Sequence, residues 1–117
     1  MTDQHDYWDG ENWLIVVSKF ETTTYYLNEE VHRSDGPAFI KYNFGFIPHI
    51  EEYFFNGKIY RKDGGSVQII YNNDGTILKQ FFYFNGIFFN PEDLPFDLPI
   101  DTEEKEFLFN LKCEIIR

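Results

Sequence analysis

The chain has 117 residues, enough for one domain with a modest core, and carries 20 acids against 10 bases, a net charge of −10. That balance counts against direct binding to nucleic acid or to an anionic membrane surface, which need Lys and Arg, while leaving a basic protein partner open. The single cysteine, Cys113, excludes an internal disulfide, no apolar run approaches a membrane span, and the N-terminal MTDQHDYWDGE is acidic rather than basic. An intracellular protein without a signal peptide is therefore expected. Fourteen Phe, eight Tyr and two Trp make 21% of the chain aromatic, and aromatic side chains favour the half-buried surface of a sheet.

In chain order, YWDGENWLIVV places Asp9-Gly10 as a turn before Trp13 to Phe20, a run continuous enough to read as a central strand. Three related units follow. YYLNEEVHRSDGPAFIKYNFG begins at Tyr25, YFFNGKIYRKDGGSVQIIYNNDG at Tyr53, and FFYFNGIFFNPED at Phe81. Alignment on Asn28, Asn56 and Asn85 gives spacings of 28 and 29 residues. Arg33 then falls on Arg61, Asp35 on Asp63 and Gly36 on Gly64, with one residue inserted before the Tyr42 and Tyr71 strands. Asn56-Gly57 and Asn85-Gly86 each stand between aromatic or β-branched runs, a strong signal for a two-residue hairpin. Asn73-Asp74-Gly75 turns another pair.

Prolines 91, 95 and 99 read as an extended linker, and DTEEKEFLFNLKCEII as the one helix. Asp101 and Glu104 have capping-box spacing, and Phe107, Leu108, Leu111 and Ile115 form the face expected to dock, with Phe109, Cys113 and Ile116 elsewhere. The organisation expected is a single domain, 1–117. Its parts are N-terminal strands with a degenerate unit (1–24), hairpin repeats (25–90), a proline-spaced linker (91–100) and a C-terminal helix (101–116). The fold class is mainly β: repeated antiparallel hairpins in a twisted meander sheet of eight to ten strands between Tyr7 and Phe89, with the helix packed on it.

VHRSDGPA, Val31 to Ala38, holds the residue types of an active site. In the second unit it becomes IYRKDGGS: Tyr60 replaces His32, and only Arg, Asp and Gly persist. A general acid or base does not survive that change, whereas a turn does. Asp-Gly supplies the positive backbone dihedral, and Arg33 and Arg61 are expected to pair with a carboxylate or stack on a ring. Asn-Gly, then His-Arg-x-Asp-Gly-Pro-Ala, then a Tyr-rich strand resembles a short hairpin repeat of phage and large DNA virus proteins, architecturally akin to the MORN repeat. The resemblance covers Tyr25 to Asn90, best at Val31 to Ala38; the MORN Gly-x-Gly step is missing. It implies a scaffold or interaction module of viral origin and not an enzyme, located in the cytoplasm or nucleus of a host cell or within a virion.

Consecutive rings in Tyr53-Phe54-Phe55 and Phe81 to Phe84 point to both faces of a sheet, more than one short helix covers. Either the sheet folds back on itself or a second copy covers it, and a homodimer is the expectation, with Tyr53, Phe55, Phe82 and Phe84 as its interface candidates. Asn28, Arg33, Asp35, Gly36, Asn56, Gly57, Arg61, Asp63, Gly64, Asn85 and Gly86 are assigned to turns. No cofactor or metal site is expected: His5, His32 and His49 lack ligand spacing, and His49 reads as solvated. Glu29-Glu30 and Glu51-Glu52 read as solvated strand edges, and the eight acids from Glu92 onward as a solvated helix face or a dock for a basic partner. The function expected is a non-catalytic module that binds protein. The alternatives are a small hydrolase built on His32, Arg33 and Asp35, or a sugar-stacking module.

Overall fold

A computed structural model describes residues 2–43, 47–84 and 86–116. The protein is mainly β. In chain order the strands are β1 (Asp3–Trp8), β2 (Trp13–Ser18), β3 (Thr22–Leu27), β4 (Glu30–Val31), β5 (Phe39–Tyr42) and β6 (Pro48–Glu52). They continue as β7 (Phe54–Phe55), β8 (Lys58–Ile59), β9 (Gln68–Tyr71), β10 (Ile77–Phe84) and β11 (Ile87–Phe89). A 3-10 turn (Pro91–Asp93) and the helix α1 (Glu103–Ile116) complete it. The sheet runs β1-β2-β3-β5-β6-β9-β10-β11, all antiparallel, with β4 paired to β3 and β7 to β8. The Trp13 to Phe20 run is not central: its strand β2 lies next to the edge, and β5 and β6 hold the middle.

The small hairpins follow their turn residues. Asn56 (φ 50°) and Gly57 (φ 79°) close β7–β8 with both residues left-handed, the geometry whose twist matches paired strands. Asn28 (φ 50°) and Glu29 (φ 70°) close β3–β4 in the same way, so a glutamate occupies a position that favours glycine. Gly86 (φ 78°) ends the β10–β11 turn; Asn85 lies outside the described residues.

Cross-strand register sorts the side chains into two faces. Leu14, Val16, Ala38, Ile40, Val67, Ile69 and Phe89, all buried, share the inner face. On the outer face, Thr24, Phe39, Glu52, Gln68 and Phe81 lie in one cross-strand row. Its exposed rings gather at the two ends, Trp8 and Trp13 at one and Tyr83 and Phe88 at the other. The outer face is thus half-buried and mixed in polarity through its middle, with Thr24, Glu52 and Gln68 in one row with Phe39 and Phe81. The molecule is long, 48 × 32 × 23 Å.

The helix docks by a different face from the one its spacing suggests. Phe109 is fully buried, its ring edge-on to Phe84 (5.2 Å) and Phe89 (4.9 Å), while Phe107 is 66% exposed and Leu111 is exposed too. Two rings of the β10–β11 hairpin form a cage that takes one Phe, and this rotates the helix. The side chains of Cys113, Ile115 and Ile116 lie outside the described residues. Thr102, not Asp101, caps the helix: its Oγ1 accepts from the Lys105 backbone N–H (3.1 Å), and Asp101 instead pairs with Lys105 Nζ (3.2 Å). The proline-spaced segment is not simply extended. Asn90 caps the 3-10 turn at Pro91, and Leu94, Phe96, Leu98 and Ile100 pack against Phe89 and Phe109.

Phe109→Ala should cost about 3–5 kcal/mol of unfolding free energy, and Leu111→Ala no more than about 0.5 kcal/mol, by urea denaturation followed by circular dichroism. Equal losses would mean that the helix docks by its other face.

Candidate functional site: the arginine turns

Arg33 sits in the turn after β4 and has every guanidinium nitrogen engaged. Nε donates to Asp35 Oδ1 (2.5 Å), Nη1 to the Pro37 carbonyl (3.2 Å) and Nη2 to the Tyr7 hydroxyl (3.2 Å). Tyr7 in turn donates to Asp35 Oδ2 (2.5 Å), closing a ring of charge-assisted bonds. The guanidinium carbon lies 4.2 Å from the Tyr25 ring centre, a cation–π stack. Burial works against the Arg33 charge, but Asp35 and the two tyrosines outweigh it and hold its pKa above the ordinary value.

The second unit repeats the arrangement. Arg61 lies 4.2 Å over Tyr53, its Nη1 donates to the Ser66 carbonyl (3.0 Å), and its Nε stands 2.7 Å from Asp63 Oδ1. That last contact is an ion pair at an angle unsuited to a hydrogen bond. The geometry corrects one element of the alignment. A Cβ on Gly36 would lie 2.9 Å from Arg33 Cζ, and one on Gly65 would lie 2.8 Å from Arg61 Cζ, so Gly36 corresponds to Gly65. Both glycines are bare because a guanidinium lies flat against them. Gly64 is the inserted residue, and it alone of the three has positive φ, 76°. The Asp63 carboxylate accepts from the Gly65 N–H (3.0 Å) and is held below the usual carboxylate range, chiefly by that bond.

His32 is buried at 1% exposure, and the turn role shared by Arg and Asp does not explain it. Its Nδ1 accepts the Asn56 backbone N–H (2.9 Å) and its ring lies 4.5 Å from the Phe55 ring. With Nδ1 accepting, the proton of the neutral ring belongs on Nε2. That nitrogen has no hydrogen-bond partner and faces Asp9 Oδ2 at 3.9 Å. Asp9, also buried, accepts from the backbone N–H groups of Glu11 (2.9 Å), Asn12 (2.7 Å) and, 25 residues on, Ser34 (2.9 Å). Burial pushes the Asp9 carboxyl up, and these three donors more than offset it, leaving it below its ordinary value. Asp9 and His32 thus tie the N-terminal hairpin, the first arginine turn and the β7–β8 hairpin together. Glu11 adds a surface tie, accepting from Ser34 Oγ (3.1 Å) and from Lys62.

The four rings named as interface candidates are half-buried, each with a partner in its own chain. Tyr53 lies under Arg61, Phe55 between His32 and Tyr60, Phe82 beside Phe89 and Phe84 against Phe109. The freely exposed rings are others: Trp8, Trp13, Phe20, Tyr60, Tyr83, Phe88 and Phe107. Glu51, Glu52 and His49 lie on β6, in the middle of the sheet rather than at an edge or in a loop. Glu51 accepts from the Tyr71 hydroxyl (2.5 Å), Glu52 from Gln68 Nε2 (2.9 Å), and His49 Nδ1 lies 3.2 Å from the Tyr71 carbonyl. Burial first, and then the bond to Glu51, raise the Tyr71 pKa far above that of a free phenol.

A shallow groove of about 300 Å³ opens between the two arginine turns, lined among others by Asp35, Phe55, Tyr60, Lys62 and Asp63. Within it the Ser34 hydroxyl donates to Glu11 Oε2 (3.1 Å), and the Arg33 and Arg61 guanidinium groups are held by Asp35 and Asp63. Among the described residues, no three His, Cys, Asp or Glu side chains converge as metal ligands, and no helix is long and apolar enough to cross a membrane. No family model matches the chain, and no curated protein or solved structure is significantly similar to it.

His32→Tyr, although it copies the second unit, should destabilise the fold by about 1–3 kcal/mol, because it strands the Asn56 amide and overfills a buried site. Asp9 contributes stability that is complete above its unfolded-state pKa near 3.8 and is lost as pH falls through its lowered folded value. The Asp9→Asn variant should therefore be less stable by about 1–3 kcal/mol at pH 6, with the gap to wild type closing towards pH 2 in urea titrations. A gap independent of pH would show that the Asp9 charge is not what matters.

Proposed function

We propose that this chain is a non-catalytic, repeat-built β module that works by binding protein. One observation carries the reading: each catalytic-looking group of the Val31 to Ala38 octet is committed to structure. Arg33 and Asp35 bind each other, Tyr7 and the Pro37 carbonyl; His32 is sealed beneath Phe55 and Asn56. What the molecule offers to others is aromatic surface at the two ends of the outer face, and exposed Tyr and Trp are the anchors that protein interfaces favour. The likeness of the octet to hairpin repeats of phages and large DNA viruses supports a virion component or a factor acting inside an infected cell.

Self-association is a second reading, favoured by the Trp8–Trp13 and Tyr83–Phe88 pairs left open on one face. Sedimentation at micromolar concentration decides it: a mass of twice 14.1 kDa supports the dimer and a single 14.1 kDa species removes it. For the binding reading, Trp13→Ser and Tyr83→Ser change exposed positions and should shift unfolding by no more than about 0.5 kcal/mol. Affinity capture from expressing cells should lose partners with these variants and keep them with Phe107→Ser on the helix. Capture indifferent to all three, or hydrolytic activity that disappears with Asp35→Asn, would overturn the reading.

A further inference from the structure

Beyond the general reading of a protein-binding module, on which this rests, the geometry points to the open edge of β1 as a docking strand for an extended, Lys- or Arg-rich peptide. Tyr25 directs its backbone N–H to Ala38 (2.8 Å), away from β2. By antiparallel alternation its partner Val16 turns to β1 and bonds His5. Gln4, Asp6 and Trp8 therefore send their N–H and C=O groups outward. Among the described residues no strand pairs with that side, and β1 is six residues long with mostly exposed side chains. An unpaired edge of this length is a template for one more strand.

The side chains state the chemistry of that strand. Asp3 and Asp6 lie on opposite faces of β1, and neither has an ion-pair partner among the described residues, whereas Glu11, Asp35, Asp63 and Asp101 each do. Residues 2–31 hold seven acids against one lysine. Next to Asp6 on the outer face stand Trp8 and Trp13, 5.6 Å apart, 50% and 67% exposed, open to a cation above either ring. The same carboxylates discourage a second copy: two β1 edges meeting would gather four of them in a chain already at −10. A cationic strand meets neither obstacle, so charge that protects the edge from its own kind selects an opposite partner.

The probe is a synthetic hexapeptide of alternating Lys and Val, titrated against the whole chain while the fluorescence of Trp8 and Trp13, its two tryptophans, is followed. A saturable change that weakens severalfold with added salt is expected, with slowed amide exchange at Gln4, Asp6 and Trp8. Asp6→Lys should weaken it tenfold or more, and the Glu-Val counterpart peptide should not bind wild type. Three results overturn the inference: no saturation at millimolar peptide, equal binding by a Lys-Val peptide with a central proline, or protection of the same amides by chain concentration alone, which would make the occupant a second copy. If the peptide fails while Trp13→Ser still loses captured partners, the binding module stands and only the edge inference falls.

Discussion

The structure depends on a guanidinium laid between a tyrosine ring and a glycine. In each of two units an arginine covers a Tyr at 4.2 Å, presses on a Gly where no Cβ fits, and bonds a carbonyl a few residues on. Long cationic side chains ordinarily remain in water, because desolvating the charge is expensive. Here the Asp two residues on and the ring face offset that cost, and the aliphatic stem supplies apolar cover over a single-layered sheet. Replacing Arg by Lys would retain the charge and lose the planar fork and the stack. The arginine turns therefore stand in for part of the second layer that an open sheet lacks.

These clamps hold each unit, while contacts between units are built from other residues. Gly57 N–H donates to the Val31 carbonyl (2.9 Å) and Arg33 N–H to the Phe54 carbonyl (3.2 Å), and His32 fills the space between. No bond among the described residues joins Ile59 to Gly86, or Arg61 to Tyr83, at the corresponding places one unit on. Tyr60, where His32 would be, is about half exposed, beside a groove of about 730 Å³. The third hairpin instead turns its rings to Phe109 of the helix. Two successive junctions in one short chain thus differ: a buried histidine fills the first, whereas beyond the second the hairpin rings pack on the helix.

Much of the fold was legible because it is local. Asn-Gly between aromatic runs specifies a left-handed turn within four residues, and the persistence of Arg and Asp beside a changing His marked the octet as structural. What was not legible acts at a distance. Asp9 reads as a turn residue, and nothing nearby announces that it also caps the Ser34 amide. The change of His32 to Tyr60 in the second unit bears on catalysis and says nothing about burial. Phe107 and Phe109 sit on nearly opposite helix faces, each with an apolar residue four positions on, Leu111 and Cys113, and only the positions of Phe84 and Phe89 separate them. Glu51 and Glu52 resemble an exposed edge because strand order, which places them half-buried in mid-sheet, is not written in any one strand.

Gly64 adds a residue to the second turn, yet the strands on either side keep their pairing and Arg61 its grip on Tyr53 and Ser66. The length of the loop is thereby uncoupled from the alignment of the sheet. A chain organised in this way can gain or lose residues at each bend while the next strand still finds its place, so duplicated units are able to drift apart in sequence and size without the ribbon coming out of step.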